Sequence, residues 1–253
     1  MYGVTFAERL RNREQLVGYW VTLDAPPATE RIARLDYDYV VLDAQHGLFG
    51  YQGMVNGLLA IDAGRGAAGL VRVEANNPTP IGRALDAGAI GVIIPLIDTA
   101  EDVARAVRAV KYPPLGHRSF GPARAELRVH PVPAENNKLT VVIAMIETAQ
   151  ALENVAEICA TPGLDGLYVG PSDLALALGA RYPGDPETAG ALEEGIALII
   201  KTATEAGLAV GMHTPDGSSA RLRLEQGFTF ATVSSDLSHL EAAAVEHLRV
   251  ARS

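Results

Sequence analysis

Residues 141–175 read VVIAMIETAQALENVAEICATPGLDGLYVGPSDLA, and the fold follows from how this stretch is parsed. Val141–Ile146 is a short apolar run rich in β-branched residues, the pattern of a strand buried on both faces. An acid, Glu147, ends it. Gln150–Cys159 has helical spacing, with Ala151, Val155 and Ile158 on one side. Gly163–Gly170 reads as a second strand, and Gly170-Pro171-Ser172-Asp173 turns the chain into another helix. Strand, helix, strand in this order implies parallel strands. Glu147 and Asp173 then stand just past the carboxyl ends of two adjacent strands, the edge where α/β proteins place ligands. Two acids so placed repel each other unless a cation or a shared proton relieves them. One reading is a divalent cation held by two carboxylates with open positions. The other makes Glu147 a capping acid and Asp173 a first-turn acid favoured by the helix dipole.

The same alternation runs outward in both directions. Val17–Leu23, Tyr39–Asp43, Ala67–Val73 and Gly91–Leu96 read as strands before it, and Leu208–Met212 and Phe228–Val233 as strands after it. Helical stretches separate them, among them Ala28–Leu35, Tyr51–Ala63, Thr79–Leu85, Ala100–Val110, Pro186–Ala206 and Ser218–Gln226. Thr5–Arg13 leads the chain and His239–Arg252 closes it. Eight strands, each followed by a helix, predict one closed (β/α)8 TIM barrel over residues 1–253, with no linker marking a second domain. No nucleotide-binding glycine fingerprint follows the first strand. The proline-rich stretch Lys111–Pro133 is too long for an ordinary connection, and a substrate lid, a subunit contact and a plain surface loop are all open readings.

Composition bounds the function. The chain has 253 residues, 48% of them hydrophobic, and a net charge of −9, which argues against a general nucleic-acid surface while leaving room for a local anion pocket. Cys159 is the only cysteine, so no internal disulfide and no cysteine metal cluster can form; this fits a reducing cytoplasm. Its place on an apolar helix side predicts a buried structural thiol. The N-terminus carries Glu8, Arg9, Arg11 and Arg13 and no apolar signal core, and no apolar run is long enough to span a membrane.

If the barrel closes, the carboxyl ends of its strands line one mouth: His46, Arg72, Pro95, Glu147, Ser172 with Asp173, His213, and Ser234 with Asp236. His46 is a candidate general base or a loop histidine with a structural hydrogen bond. Arg72 sits between Val71 and Val73 and needs a partner, either a mouth acid or a bound anion. Asp86, before strand four, could cap a turn or orient His46 through a ring nitrogen. His213 takes no role at this point.

Five motifs carry a family resemblance: Asp43-Ala44-Gln45-His46-Gly47, Leu85-Asp86-Ala87-Gly88-Ala89, Tyr112-Pro113-Pro114-Leu115-Gly116-His117-Arg118, Ile146-Glu147-Thr148, and Gly163 through Leu174. In this order and spacing the whole chain resembles the HpcH/HpaI family of class II, metal-dependent pyruvate aldolases. The resemblance implies a barrel whose last helix is exchanged between protomers and a hexamer built as a trimer of dimers. It implies Mg²⁺, Mn²⁺ or Co²⁺ on Glu147 and Asp173, with His46, Arg72 and Asp86 in the catalytic roles. Two departures bear on the aldehyde partner. Met145 stands where many members have Gln, and Ser119–Ala125 is less glycine-rich than the usual family loop.

The residues suit that chemistry. A 4-hydroxy-2-oxo acid would chelate the metal through its 2-oxo and carboxylate oxygens, with Gly170, Pro171, Ser172 and Asp173 around the carboxylate. His46, oriented by Asp86, would take the 4-hydroxyl proton. The products would be an aldehyde and the enolate of pyruvate or hydroxypyruvate, its negative oxygen stabilised by the metal and Arg72. Only Lys111, Lys138 and Lys201 exist and none falls in a predicted strand, which argues against a Schiff-base aldolase. An acyl-CoA thioester lyase, an oxo-acid decarboxylase and a non-catalytic oxo-acid binding protein are the alternatives on the same scaffold.

Overall fold

The computed structural model describes residues 5–253. Its strands are β1 (Leu16–Val21), β2 (Tyr39–Asp43), β3 (Ala68–Arg72), β4 (Gly91–Ile94), β5 (Val141–Ile146), β6 (Gly166–Val169), β7 (Ala209–Thr214) and β8 (Phe230–Ser235). Every strand pairs in parallel with its sequence neighbours, and β8 closes on β1, so the expected eight-stranded barrel is what forms.

Two cores result from the period-2 alternation of strand side chains. On β5, Val142, Ala144 and Ile146 face outward into the helix layer, while Val141, Ile143 and Met145 fill the barrel interior. The same parity holds on β7, where Ala209 belongs to the inner core and Val210 and Met212 to the outer one. Large rings fill the barrel: Tyr39, Tyr168 and Phe230 are fully buried there. Glycines on neighbouring strands make room for them. A Cβ on Gly18 would lie 2.1 Å from the Tyr39 ring, and one on Gly211 2.1 Å from the Phe230 ring.

The helix Phe6–Arg11 plugs the N-terminal end, burying Ala7 and Leu10 against the inner core. It starts at a capping box in which Thr5 and Glu8 satisfy each other's backbone amides. Arg11 then ties this plug to Asp165 at 2.7 Å.

Three expectations shift in detail. The segment after Ala100–Val110 is not one loop: it holds a helical turn, Ala125–Arg128, and a helix, Pro133–Leu139. Pro at the first helical position pre-sets φ there, a signal the proline count obscures. The stretch expected as one helix after β5 is two, Ala149–Glu153 and Val155–Cys159. Strand β7 runs two residues further than its apolar run, which places His213 on the strand itself. Cys159 is buried as expected, and burial pushes its thiol up to about 12. Among the described residues no helix is long and apolar enough to cross a membrane.

Candidate active site

The inward parity of each strand carries past its last apolar residue, and this delivers polar groups to the C-terminal mouth. Trp20 ends the inward row of β1, Asp43 that of β2, Arg72 that of β3 and His213 that of β7. They converge on a cavity of about 300 Å³ lined by residues that include Trp20, His46, Arg72, Met145, Asp173 and His213.

Arg72 is 7% exposed and finds its partner on the next strand. Asp43 and Arg72 are register partners across β2 and β3. Arg72 Nε donates to Asp43 Oδ1 at 2.8 Å and Nη2 to Oδ2 at 2.5 Å, a fork-on-fork pair. The sequence left two readings for Arg72, and the structure supplies the acid. The guanidinium also lies 5.0 Å from the Trp20 ring centroid, and Trp20 Nε1 donates to Asp43 Oδ2 at 3.2 Å. Asp43 further accepts the amide N–H groups of Gln45 and His46, at 3.1 and 3.2 Å. Burial works against its charge. The Arg72 guanidinium, the His46 amide and the Trp20 indole outweigh burial and hold the carboxyl below its ordinary value. Nε and Nη2 are engaged by Asp43, whereas Nη1 meets only the weak acceptor Met145 Sδ, at 4.0 Å, and Met145 lines the cavity.

His46 lies at the exposed rim of the same mouth. The turn that presents it requires Gly47, where a Cβ would sit 2.1 Å from the Asp43 carbonyl oxygen.

Glu147 is 3% exposed. Its Oε1 accepts the N–H of Leu96 at 2.8 Å. Leu96 reaches it by adopting a left-handed conformation, φ 52°, an unusual backbone for Leu of the kind that clusters at functional sites. Burial pushes the Glu147 carboxyl above its ordinary value. The Leu96 bond opposes this, the nearby Asp173 charge adds to it, and Arg72 and His46 pull the other way. Glu147, Asp173, Arg72 and His46 are therefore electrostatic neighbours, as the sequence predicts.

A divalent cation fits this pair. A Cβ on Gly170 would lie 2.8 Å from Glu147 Oε2, so the glycine keeps the space beside that oxygen open. Carboxylate oxygens are the donors hard divalent cations take. Among the described residues no cluster of three or more His, Cys, Asp or Glu side chains is arranged to hold a metal. Two protein ligands then leave most positions to water or substrate, as Mg²⁺ sites commonly do.

Asp86 stands apart from the other candidates within the chain. It ends the helix Pro78–Asp86 and precedes β4, so it lies at the N-terminal end of the barrel, across the molecule from His46. There it accepts from Arg118 Nη2 at 2.6 Å, and its carbonyl takes the Arg124 amide. Within the chain it does not orient His46. A residue before a strand and a residue after one sit on opposite faces of a parallel barrel.

Three contributors had no assigned role in the sequence reading. Asp43 was visible as a strand-end acid, and only its register with Arg72 shows its use. Trp20 was one apolar residue among many in β1. Ser235 enters the cavity through a register shift: Tyr19 pairs with Val233 but Trp20 with Ser235, leaving Ser234 bulged at φ 52°.

Residues 16–243 match the HpcH/HpaI aldolase/citrate lyase family. The chain is 40% identical over 242 residues to a hydroxypyruvate/pyruvate aldolase of Rhizorhabdus wittichii, covering 95% of both proteins. It is 36% identical over 245 residues to a 5-keto-4-deoxy-D-glucarate aldolase of Salmonella paratyphi C, covering 94% of this chain and 93% of that protein. A crystal structure of an HpcH/HpaI aldolase/citrate lyase family protein from Burkholderia cenocepacia J2315 superposes with a TM-score of 0.90 at 34% identity, over 99% of this chain and all of that one. A closed barrel whose mouth gathers two carboxylates and an acid-clamped arginine, matched to these relatives over nearly its whole length, belongs to the HpcH/HpaI aldolase/citrate lyase family, and the protein is a carbon–carbon lyase of that family.

Proposed function

We propose that the protein is a divalent-metal-dependent class II aldolase that cleaves and forms 4-hydroxy-2-oxo acids, exchanging an aldehyde for the enolate of pyruvate or hydroxypyruvate. The observation that carries this reading is the juxtaposition at one mouth of a buried Glu147, with Asp173 beside it, and a guanidinium held immobile by Asp43. Glu147 and Asp173 would hold Mg²⁺, Mn²⁺ or Co²⁺, and the bound ion supplies Lewis-acid polarisation of the 2-oxo group.

The chain's own residues account for the rest. Gly170, Pro171, Ser172 and Asp173 form the wall against which the substrate carboxylate packs. His46, at the rim, takes the 4-hydroxyl proton. An imidazole exchanges protons readily near neutral pH, as a reversible reaction needs. The C3–C4 bond breaks, the 4-carbon leaves as aldehyde, and the electron pair delocalises into the enolate. Arg72 Nη1 donates to the oxygen on which charge accumulates. Because Asp43 and Trp20 have already fixed the guanidinium, that donation costs little reorganisation in the transition state. A proton delivered to C3 completes the product oxo acid.

The helix Asp236–Ala251 buries none of its residues, and Leu240, Val245, Leu248 and Val250 are all more than half exposed. Apolar side chains left open along a helix that buries nothing in its own chain support a homo-oligomer, with the hexamer of exchanged helices as its proposed form.

A retro-aldol screen tests the function: pyruvate or hydroxypyruvate release from 4-hydroxy-2-oxo acids of differing length and charge, in chelated protein and after each metal is restored. Release that depends on the metal is expected. Full turnover in exhaustively chelated protein overturns the reading.

A further inference from the structure

His213 is a titratable residue of the mouth that the mechanism above does not use. Its position is built rather than incidental. Ala209 faces the barrel interior, Gly211 packs its backbone on Phe230 there, and His213 follows on the same parity. The imidazole lines the cavity and stands edge-on to Trp20, with ring centroids 5.5 Å apart and planes at 76°. Neither ring nitrogen takes part in a hydrogen bond among the described residues. Burial first, then the Arg72 charge, lowers its pKa to about 4, with Asp43 opposing. The ring is therefore neutral at neutral pH and offers one N–H donor and one lone pair.

Its place in the mouth says which part of a substrate it meets. The oxo-acid half belongs with Glu147 and Asp173, past β5 and β6, and with Arg72 on β3. His213 stands on β7, across the closed barrel from β3 and its Arg72, with Ser235 of the adjacent β8 in the same lining and the Trp20 ring of β1 against its own. Of the other polar groups in that lining, the Thr22 hydroxyl already donates to Asp236 at 2.8 Å and the Ser235 hydroxyl is bonded to Ser238 at 3.0 Å. Of these three groups the imidazole is the one that makes no hydrogen bond among the described residues.

We propose that His213 selects a hydroxylated aldehyde, by hydrogen-bonding a hydroxyl of the half that leaves or adds at C4. The inference rests on the aldolase reading above. A half-buried polar group in a cavity rejects a ligand that leaves it unpaired more strongly than an apolar wall rejects an extra hydroxyl. An apolar aldehyde of the same shape is therefore the poorer partner.

The test is aldol addition of pyruvate by the metal-loaded protein to glyceraldehyde and to 2-methylbutanal, in which methyl groups replace both hydroxyls. The quantity read is the ratio of the two kcat/KM values, compared between wild type and variants so that intrinsic aldehyde reactivity cancels. His213→Leu should lower that ratio by about tenfold or more, the order expected when a hydrogen bond to a buried partner is lost. His213→Gln, which keeps a neutral donor and acceptor, should recover part of it. If the leucine variant fails to fold, His213→Phe keeps the ring edge against Trp20 and should show the same loss. A ratio unchanged in the folded variants overturns the proposal. Wild-type exchange of the pyruvate C3 protons with solvent separates the two readings. Its absence overturns the enolate chemistry, whereas exchange with an unchanged ratio overturns only the role of His213.

Discussion

Asp43 and Arg72 are cross-strand partners in the β2–β3 register, and two hydrogen bonds of 2.8 and 2.5 Å lock the guanidinium to the carboxylate inside the barrel mouth. The pair solves two problems together. It neutralises a charge that the barrel could not bury alone. It also occupies Nε and Nη2, leaving Nη1 with only the weak acceptor Met145 Sδ. Trp20 supports both members, one through its ring face and the other through its indole N–H.

Removing the acid should therefore cost stability as well as rate. Asp43→Asn leaves the buried Arg72 without a counter-charge, and a loss of about 3 kcal/mol is expected in urea unfolding. The folded carboxyl lies below its ordinary value, so its contribution is present above the unfolded carboxylate pKa, about 3.9, and is lost as pH falls through the folded value. The variant should show a flatter acid limb in stability against pH. An unchanged midpoint and acid limb would contradict the clamp.

Arg72→Lys keeps the charge but not the planar fork, which two of its three nitrogens use on Asp43. It should fold and lose about 3 kcal/mol of transition-state stabilisation, the scale for one preorganised donor. Steady-state kinetics on a 4-hydroxy-2-oxo acid give the number, and wild-type kcat/KM in the variant would refute the assignment.

His46→Ala should lower the retro-aldol rate by about 10²–10⁴, the usual worth of a positioned acid–base group, without weakening metal affinity measured by titration calorimetry. Asp86→Asn should act differently, because its partner Arg118 has a side chain only 2% exposed at the other end of the barrel. Its expected signature is a stability loss of about 3 kcal/mol from an unpaired buried charge. Near-full rate in His46→Ala would pass the proton-transfer role to another group.

Glu147→Gln should abolish metal-dependent activity. It should also abolish the rise in melting temperature that Mg²⁺, Mn²⁺ or Co²⁺ produces in wild type, since a ligand that binds only the folded state stabilises it. Equal thermal shifts in the two proteins would place the ion elsewhere.

The His213 ring should stay neutral down to a pH near 4, seen as an NMR titration well below that of an ordinary histidine. Its folded pKa is depressed, so its contribution to stability is present above the unfolded value, about 6.5, and is lost as pH falls through about 4. His213→Leu should remove that part of the acid destabilisation. Titration near 6.5 would mean that the ring is solvated.

The sequence by itself determined the barrel, because eight apolar runs alternating with helical stretches have few other ways to bury both strand faces. It also determined that Glu147, Asp173, His46 and Arg72 share a mouth, since each follows or ends a strand and parallel strands put all such ends on one side. What it did not determine lies in register and direction. The Asp43–Arg72 clamp depends on which residues of β2 and β3 stand abreast. The inward aim of His213 depends on a strand running two residues beyond its apolar run, and that of Ser235 on a bulge at Ser234. Asp86 is placed with the site by the family resemblance, as the partner that orients His46. Only the closed barrel shows that the chain must cross its full height, along β4, to pass from Asp86 to the mouth. Apolar periodicity specifies which elements exist. The pairing of side chains across strands follows from backbone hydrogen bonding in three dimensions, which no single stretch of sequence encodes.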